Sequence, residues 1–389
     1  MGTKFSKKKS NKEDDAVKRQ AYASGNDNNS DTTVDDIDTQ STGDEKTKLL
    51  ETRHIDAINC IKINTKQNNL GITSTYDEIL TCSDDRTAIL HKRSNNNGEI
   101  SITRTWKGHK RAVNKIIQGK NNVFTCSRDL TIKQWTKESD EAVGTFTGHT
   151  LTISAISEKT DGTLIASGSR DTTVRVWDST TSKEITRNTT SRNLVTCMEW
   201  LPENSSILAQ GSEDLKLRLW DFRTNIIKSS QTFTGYVYFP LCMSISNDGN
   251  RIMTGSKGFN GVGCEIRIWD IRMNKQYIEL SGHQQDVREC YFLQHEEDNN
   301  SNSDIIVTAS KDKTIRLWDI GKYNQEEHDN TVNSHKCVLN EYHMYGDGTF
   351  TCMDVSNDSS KSKNNSVSVM YCIADMDGVP STYVTDLSP

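Results

Sequence analysis

The chain has 389 residues, a formal net charge of −6 and 33% hydrophobic residues. No stretch of about eighteen apolar residues is present, so a membrane-spanning helix is excluded, and no apolar run near the start has the form of a secretory signal. The charge gives no whole-chain reason to expect nucleic-acid binding, and the low apolar content requires either unstructured segments or a β-architecture with many polar loops.

The first ten residues, MGTKFSKKKS, fit the N-myristoylation pattern M-G-x-x-x-[ST], with Gly2 as acceptor and Ser6 as the hydroxyl. Lys4, Lys7, Lys8 and Lys9 would add electrostatic attraction to an anionic leaflet, at about 1 kcal/mol each. A single myristoyl chain binds only marginally, at about 10⁴ M⁻¹. No cysteine precedes Cys60 to take a second lipid, so the expectation is a reversible anchor and a cytoplasmic, peripheral-membrane location. The alternative is an unmodified basic tail. Residues 10–46 are almost free of large apolar side chains, so a linker without fixed structure is expected there, with a reach of about 30–35 Å.

From residue 47 the chain repeats. VFTCSRDLTIKQWT (123–136), LIASGSRDTTVRVWD (164–178), ILAQGSEDLKLRLWD (207–221) and IIVTASKDKTIRLWD (305–319) share one frame. ILTCSDDRTAILHK (79–92) fits it with His91 in place of tryptophan. Trp135, Trp177, Trp220, Trp269 and Trp318 mark the frame, spaced by 42, 43, 49 and 49 residues. Gly-His pairs stand at 108–109, 148–149 and 282–283, each ahead of an alternating apolar run, and Arg53-His54 takes that place in the first unit. Each unit reads as four short strands joined by tight turns. The fourth unit, TTSRNLVTCMEW, has no Gly-His. In the fifth, GFNGVG replaces the Ser-x-Asp turn. No Lys-Ser/Thr and no helix follow those glycines, so a widened turn is favoured over a phosphate loop, with a backbone contact to an anion or a partner as the other reading. A degenerate seventh unit, VMYCIADMDGVPSTYV, puts Asp377 and Tyr383 at the Asp and Trp positions, and TKLLET (47–52) is left over to supply its outer strand.

A period of 40–45 residues carrying GH and WD resembles the WD40-repeat superfamily. The resemblance implies an all-β, seven-bladed propeller over 47–389, closed by strand 47–52 on the C-terminal blade, behind an N-terminal tail over 1–46. It also implies a structural role for the repeated polar sets His109, Asp129 and Trp135; His149, Asp171 and Trp177; Asp214 and Trp220; Trp269; and His283, Asp312 and Trp318. A catalytic reading is disfavoured because an active site has no need to be copied around a ring. The family binds partners on the face where the Asp turns converge. Lys110, Arg111, Arg128, Arg170 and Lys311 are therefore the candidate partner contacts, suited to an acidic or phosphorylated protein segment. Units four and five, with the Met-Gly start, resemble a WD-repeat protein of cilia or basal bodies, which implies a role in traffic or signalling there.

None of the ten cysteines forms a CxxC pair or lies at zinc-ligand spacing, so buried reduced thiols in a cytosolic protein, and no metal or cofactor, are expected. The functional expectation is a non-catalytic scaffold that binds proteins and no nucleic acid. The alternative classes are a regulator of a small GTPase, for instance one supplying an arginine, and an enzyme built on a propeller.

Overall fold

A computed structural model describes residues 48–50, 54–64, 76–94, 100–189, 194–202, 206–223, 229–293, 305–323, 330–356, 367–374 and 380–387. Contacts divide the chain into Met1–Asp44 and Glu45–Pro389, and all described residues belong to the second unit. The myristoylation pattern, its lysines and the linker lie outside the described residues.

Seven four-stranded antiparallel sheets are formed. Their innermost strands are Ile58–Asn64, Val113–Gln118, Ile153–Glu158, Val195–Trp200, Pro240–Ile245, Val287–Phe292 and Thr349–Ser356. Each of these touches the next, and the seventh touches the first, so the blades close into a ring. Six blades use four consecutive strands. The seventh combines Thr349–Ser356, Val367–Ala374 and Pro380–Leu387 with Lys48–Leu50, whose Leu49 pairs with Tyr383. One sheet made from both ends of the ring leaves no unpaired edge where the ring closes.

The strands form where apolar side chains alternate, and the second strand of each blade is almost wholly buried because both of its faces meet neighbouring blades. Val123–Ser127 is buried at every position. Leu80 and Trp106 of blade one pack with Ile116, Val123 and Trp135 of blade two, and the two indole rings stack at 6.1 Å. Full burial of each such side chain contributes about 1.5–3 kcal/mol, and the same inter-blade layer recurs around the ring.

Two features depart from the all-β repeat reading. A short helix, Asn330–Cys337, precedes the outer strand of blade six and buries Cys337 against Ile278, Leu280 and Trp318. In blade seven the pairing register puts Thr385, not Tyr383, at the tryptophan position. Val369 pairs with Thr385 there, as Val123 pairs with Trp135 in blade two. Tyr383 lies two residues earlier and stacks on Tyr371 at 5.3 Å. Spacing alone misplaced the frame because the strand of this blade runs two residues further before the equivalent pair. Asp377 lies outside the described residues.

Candidate functional site: the Asp-turn face and the channel mouth

In blades one, two, three and six the turns between second and third strands share one construction. In blade two, Ser127 Oγ accepts from Asp129 N at 3.0 Å, while the Asp129 carboxylate accepts from Thr131 N (3.1 Å) and Thr131 Oγ1 (2.6 Å). The residue after the aspartate is left-handed in five blades: Arg86 (φ 72°), Leu130 (74°), Thr172 (68°), Leu215 (62°) and Lys313 (64°). None is glycine. The strain in each, on the order of 1 kcal/mol, is offset by the hydrogen bonds that hold the turn.

From that turn a polar chain runs inward. His149 Nδ1 donates to Asp171 at 2.8 Å, its Nε2 meets Ser167 Oγ at 2.7 Å, and Ser167 Oγ accepts from Trp177 Nε1 at 2.8 Å. Thr125 serves the same purpose between His109 and Trp135, and Thr308 between His283 and Trp318. His109 and His283 bond Asp129 and Asp312 at 2.9 and 3.1 Å. The Ser–His–Asp order is that of a hydrolase triad, but Ser167 is fully buried and its oxygen is already occupied by an indole N–H. No substrate carbonyl can reach it. In blade one, His54 joins Asp85 to Thr81, which also meets His91 Nε2 at 3.0 Å. Burial, and then the nearby His54, push His91 down to about 3, so it is neutral.

The same turns surround one end of the central channel. A cavity of about 700 Å³ opens there, lined by Arg170, Glu213, Phe239, Lys257, Asp286, Arg288 and Lys311 among others. Its charges are mixed. Lys311 and Arg288 both reach Asp286, at 3.3 and 3.5 Å. Lys257 Nζ lies 5.1 Å over the Phe239 ring, and neither Lys257 nor Arg170 has an ion-pair partner among the described residues. Arg128 points elsewhere, to Asn114 at 3.4 Å and Asp84 of blade one at 3.6 Å. Lys110 and Arg111 are exposed on the same turn, where Lys110 N donates to Asp129, but they do not line the mouth. Of the five cations singled out in the sequence, the structure brings Arg170 and Lys311 together at the mouth.

The glycine-rich insertion folds beside it as a small hairpin. Phe259 and Val262 exchange both backbone hydrogen bonds, at 3.0 and 3.1 Å. Gly261 N donates to Gln284 O and Gly258 N to Asp286 Oδ1. Gly263 (φ 78°) lies against Tyr238 so closely that a Cβ would fall 2.0 Å from the ring, so no other residue fits. This arrangement leaves Phe259 67%, Val262 58%, Val237 52% and Tyr238 43% exposed.

Residues 100–136, 140–178, 182–221 and 274–319 match the family model described as "WD domain, G-beta repeat". The chain belongs to the WD40-repeat family. The nuclear distribution protein nudF of Aspergillus niger is 27% identical over 239 residues, covering 56% of this chain and 42% of that protein. Its namesake in Aspergillus flavus is 30% identical over 291 residues, covering 69% and 59%. The nuclear distribution protein PAC1 of Candida albicans is 26% identical over 229 residues, covering 54% and 40%. The chain thus spans about half the length of the curated relatives it matches.

The match skips residues 222–273, which hold most of blade five, and includes blade four, and in both of these blades of the WD40 propeller other residues take over the repeat's roles. In blade five, Tyr236 occupies the place of the histidine: its hydroxyl meets Thr254 Oγ1 at 2.9 Å and accepts from Trp269 Nε1 at 2.8 Å. Gly235-Tyr236, in register with the Gly-His pairs, was the available signal. In blade four, with no histidine, Arg218 pairs with Asp214 through both guanidinium nitrogens, and Trp220 Nε1 donates to Gln210 Oε1 at 3.0 Å. Lys or Arg fills that strand position in most units (Lys133, Arg175, Arg267 and Arg316), so nothing in the spelling set Arg218 apart. All ten cysteines are free and buried, and among the described residues no group of His, Cys, Asp or Glu has the arrangement of a metal site.

Proposed function

We propose that this chain is a non-catalytic adaptor whose Asp-turn face grips an acidic or phosphorylated segment of a protein partner by an apolar anchor. The observation that carries the reading is the exposed cluster of Val237, Tyr238, Phe259 and Val262 at the lip of the channel. Ordered aromatic and aliphatic side chains left in water are the common signature of a binding surface, and rigid aromatics dominate interface energetics. Lys257, two residues before Phe259, and Arg170, which lines the same mouth, supply the charge an acidic segment would neutralise.

Selection of twelve-residue peptides from a display library against the full chain tests this. The expected winners carry Asp, Glu or phosphoserine beside a bulky apolar residue. They lose at least tenfold in affinity with Arg170→Glu and with Phe259→Ser, while both variants keep the wild-type melting temperature. Winners indifferent to both changes would refute the reading.

The platform is held at a cytoplasmic membrane face, in this proposal, by a myristoyl group on Gly2 together with Lys4, Lys7, Lys8 and Lys9. The support is the sequence pattern, and the ciliary assignment rests only on the likeness of units four and five and the Met-Gly start. Intact-mass spectrometry of the protein from its own cells should show loss of Met1 and gain of a myristoyl group; a free Gly2 would end this part.

A further inference from the structure

The Asp-turn face is one end of the channel. The other end opens into a second cavity of about 650 Å³. Lys115 and Glu289, 3.6 Å apart, line both cavities and stand between them. Beyond this pair the innermost strands present one further level of side chains. Lys62 and Asp354 meet there at 3.0 Å, with Tyr291 Oη 3.1 Å from the same ammonium. The second Asp354 oxygen accepts from Ile63 N at 2.6 Å.

On blade four, across the channel, stands Glu199, with Ser157 and Ser244 at the equivalent positions of the two neighbouring blades. All three line the cavity. Glu199 has no hydrogen-bond or ion-pair partner among the described residues, and neither has the Ser244 hydroxyl. Ser157 Oγ accepts only Trp200 N, at 3.2 Å. Lys115 and Lys62 are thus each matched by a carboxylate, Glu289 and Asp354, and Glu199 is the carboxylate left over at these two levels. Burial raises its carboxyl to about 7 despite the opposing field of Lys62.

We propose that this end of the channel binds a primary alkyl-ammonium group, with Glu199 as its counter-ion and Ser157 and Ser244 as further acceptors. An ammonium has three donors to share among such acceptors, and Ile117, Met198 and Met243 give the alkyl chain an apolar wall. A carboxylate or phosphate finds no free cation at this level, since Lys62 and Lys115 are both paired; the exposed Lys120, which also lines the cavity, reaches only Asp161 O, at 3.5 Å. The site is independent of the adaptor reading, which concerns the opposite face. The amine comes either from a free polyamine or from a lysine side chain of another protein.

Calorimetric titration of the full chain with spermidine, and separately with the capped tripeptide acetyl-Gly-Lys-Gly-amide, tests the proposal at pH 7.5. One-to-one binding is expected, at least tenfold weaker for Glu199→Gln, and absent for the tripeptide with acetylated lysine. Spermidine binding alone assigns a free polyamine, and tripeptide binding assigns a partner's lysine. A second readout needs no variant: the Glu199 carboxyl carbon, followed by NMR, should titrate at lower pH when the amine is saturating. The proposal is overturned if neither amine binds, if Glu199→Gln binds as tightly as wild type, or if the Glu199 titration does not move.

Discussion

Replacing Asp129 with alanine removes the acceptor on which one complete turn depends. Four donors lose their partner: His109 Nδ1 at 2.9 Å, Lys110 N at 2.8 Å, Thr131 N at 3.1 Å and Thr131 Oγ1 at 2.6 Å. The two backbone donors lie near the surface and regain water. The His109 ring and the Thr131 hydroxyl do not, and bonds to an ionised acceptor contribute about 1.5–3 kcal/mol each. Leu130, held at φ 74°, also loses the bonds that offset its strain. The expected destabilisation is therefore about 3–5 kcal/mol. Guanidinium unfolding followed by tryptophan fluorescence measures it, with Asp140→Ala as control. Asp140 is 70% exposed in its pair with Arg104, and its loss should cost no more than about 0.5–1 kcal/mol. Because His109 acts through Asp129, adding His109→Ala to the first variant should cost at least about 1 kcal/mol less than His109→Ala alone. A loss below about 1 kcal/mol for Asp129→Ala, or strict additivity with His109→Ala, would refute the view that these sets hold the blades together.

Tyr236→Phe leaves the Trp269 indole and the Thr254 hydroxyl buried without their partner and should cost about 1–3 kcal/mol in the same assay. Arg218→Leu leaves Asp214 unpaired in a site where both side chains are largely buried, so a loss of about 3–5 kcal/mol is expected. Arg86→Gly should instead stabilise, by up to about 1 kcal/mol, since an exposed residue at φ 72° is relieved of strain; a lower melting temperature would contradict this. Acid should unfold the protein through its turn aspartates. Burial raises the Asp85 carboxyl, but hydrogen bonds from His54 and Thr87 outweigh it and hold it at about 2 against an ordinary 3.8; Asp129, Asp171 and Asp312 are lowered likewise. A carboxyl depressed in the folded state contributes stability that is present above its unfolded pKa and lost as pH falls through the folded one. The melting temperature should thus be insensitive to these groups above about pH 4–5 and drop between pH 4 and 2, with a shallower drop for Asp85→Asn.

The seven-bladed architecture was legible because each blade is a local unit with its own alternating strands and its own turn, and a repeated unit announces its period. What the spelling hid depends on pairing between strands or on closure of the ring. Thr385 holds the tryptophan position of blade seven because of register, which a count of residues cannot give. Tyr236 does the work of a histidine because a phenol can accept from an indole and meet a hydroxyl at once, and only its place after Gly235 hinted at it. Arg128 and Arg170 have the same place in adjacent repeats, yet one leans on Asp84 and the other lines the mouth, because the charge presented by the neighbouring blade differs. The exposure of Phe259 and Val262 follows from the close fit of Gly263 on Tyr238. The isolation of Glu199 follows from what stands on the other six blades.

The adaptor reading stands or falls on where a partner segment lands. Hydrogen–deuterium exchange of the full chain, with and without a saturating amount of the tightest selected acidic peptide, reads this directly. Slowed exchange should be confined to residues 235–263, 168–172 and 284–288, around Phe259, Tyr238 and Arg170. Protection on the outer strands or at the Lys62–Glu199 end of the channel, with none in 235–263, would contradict it.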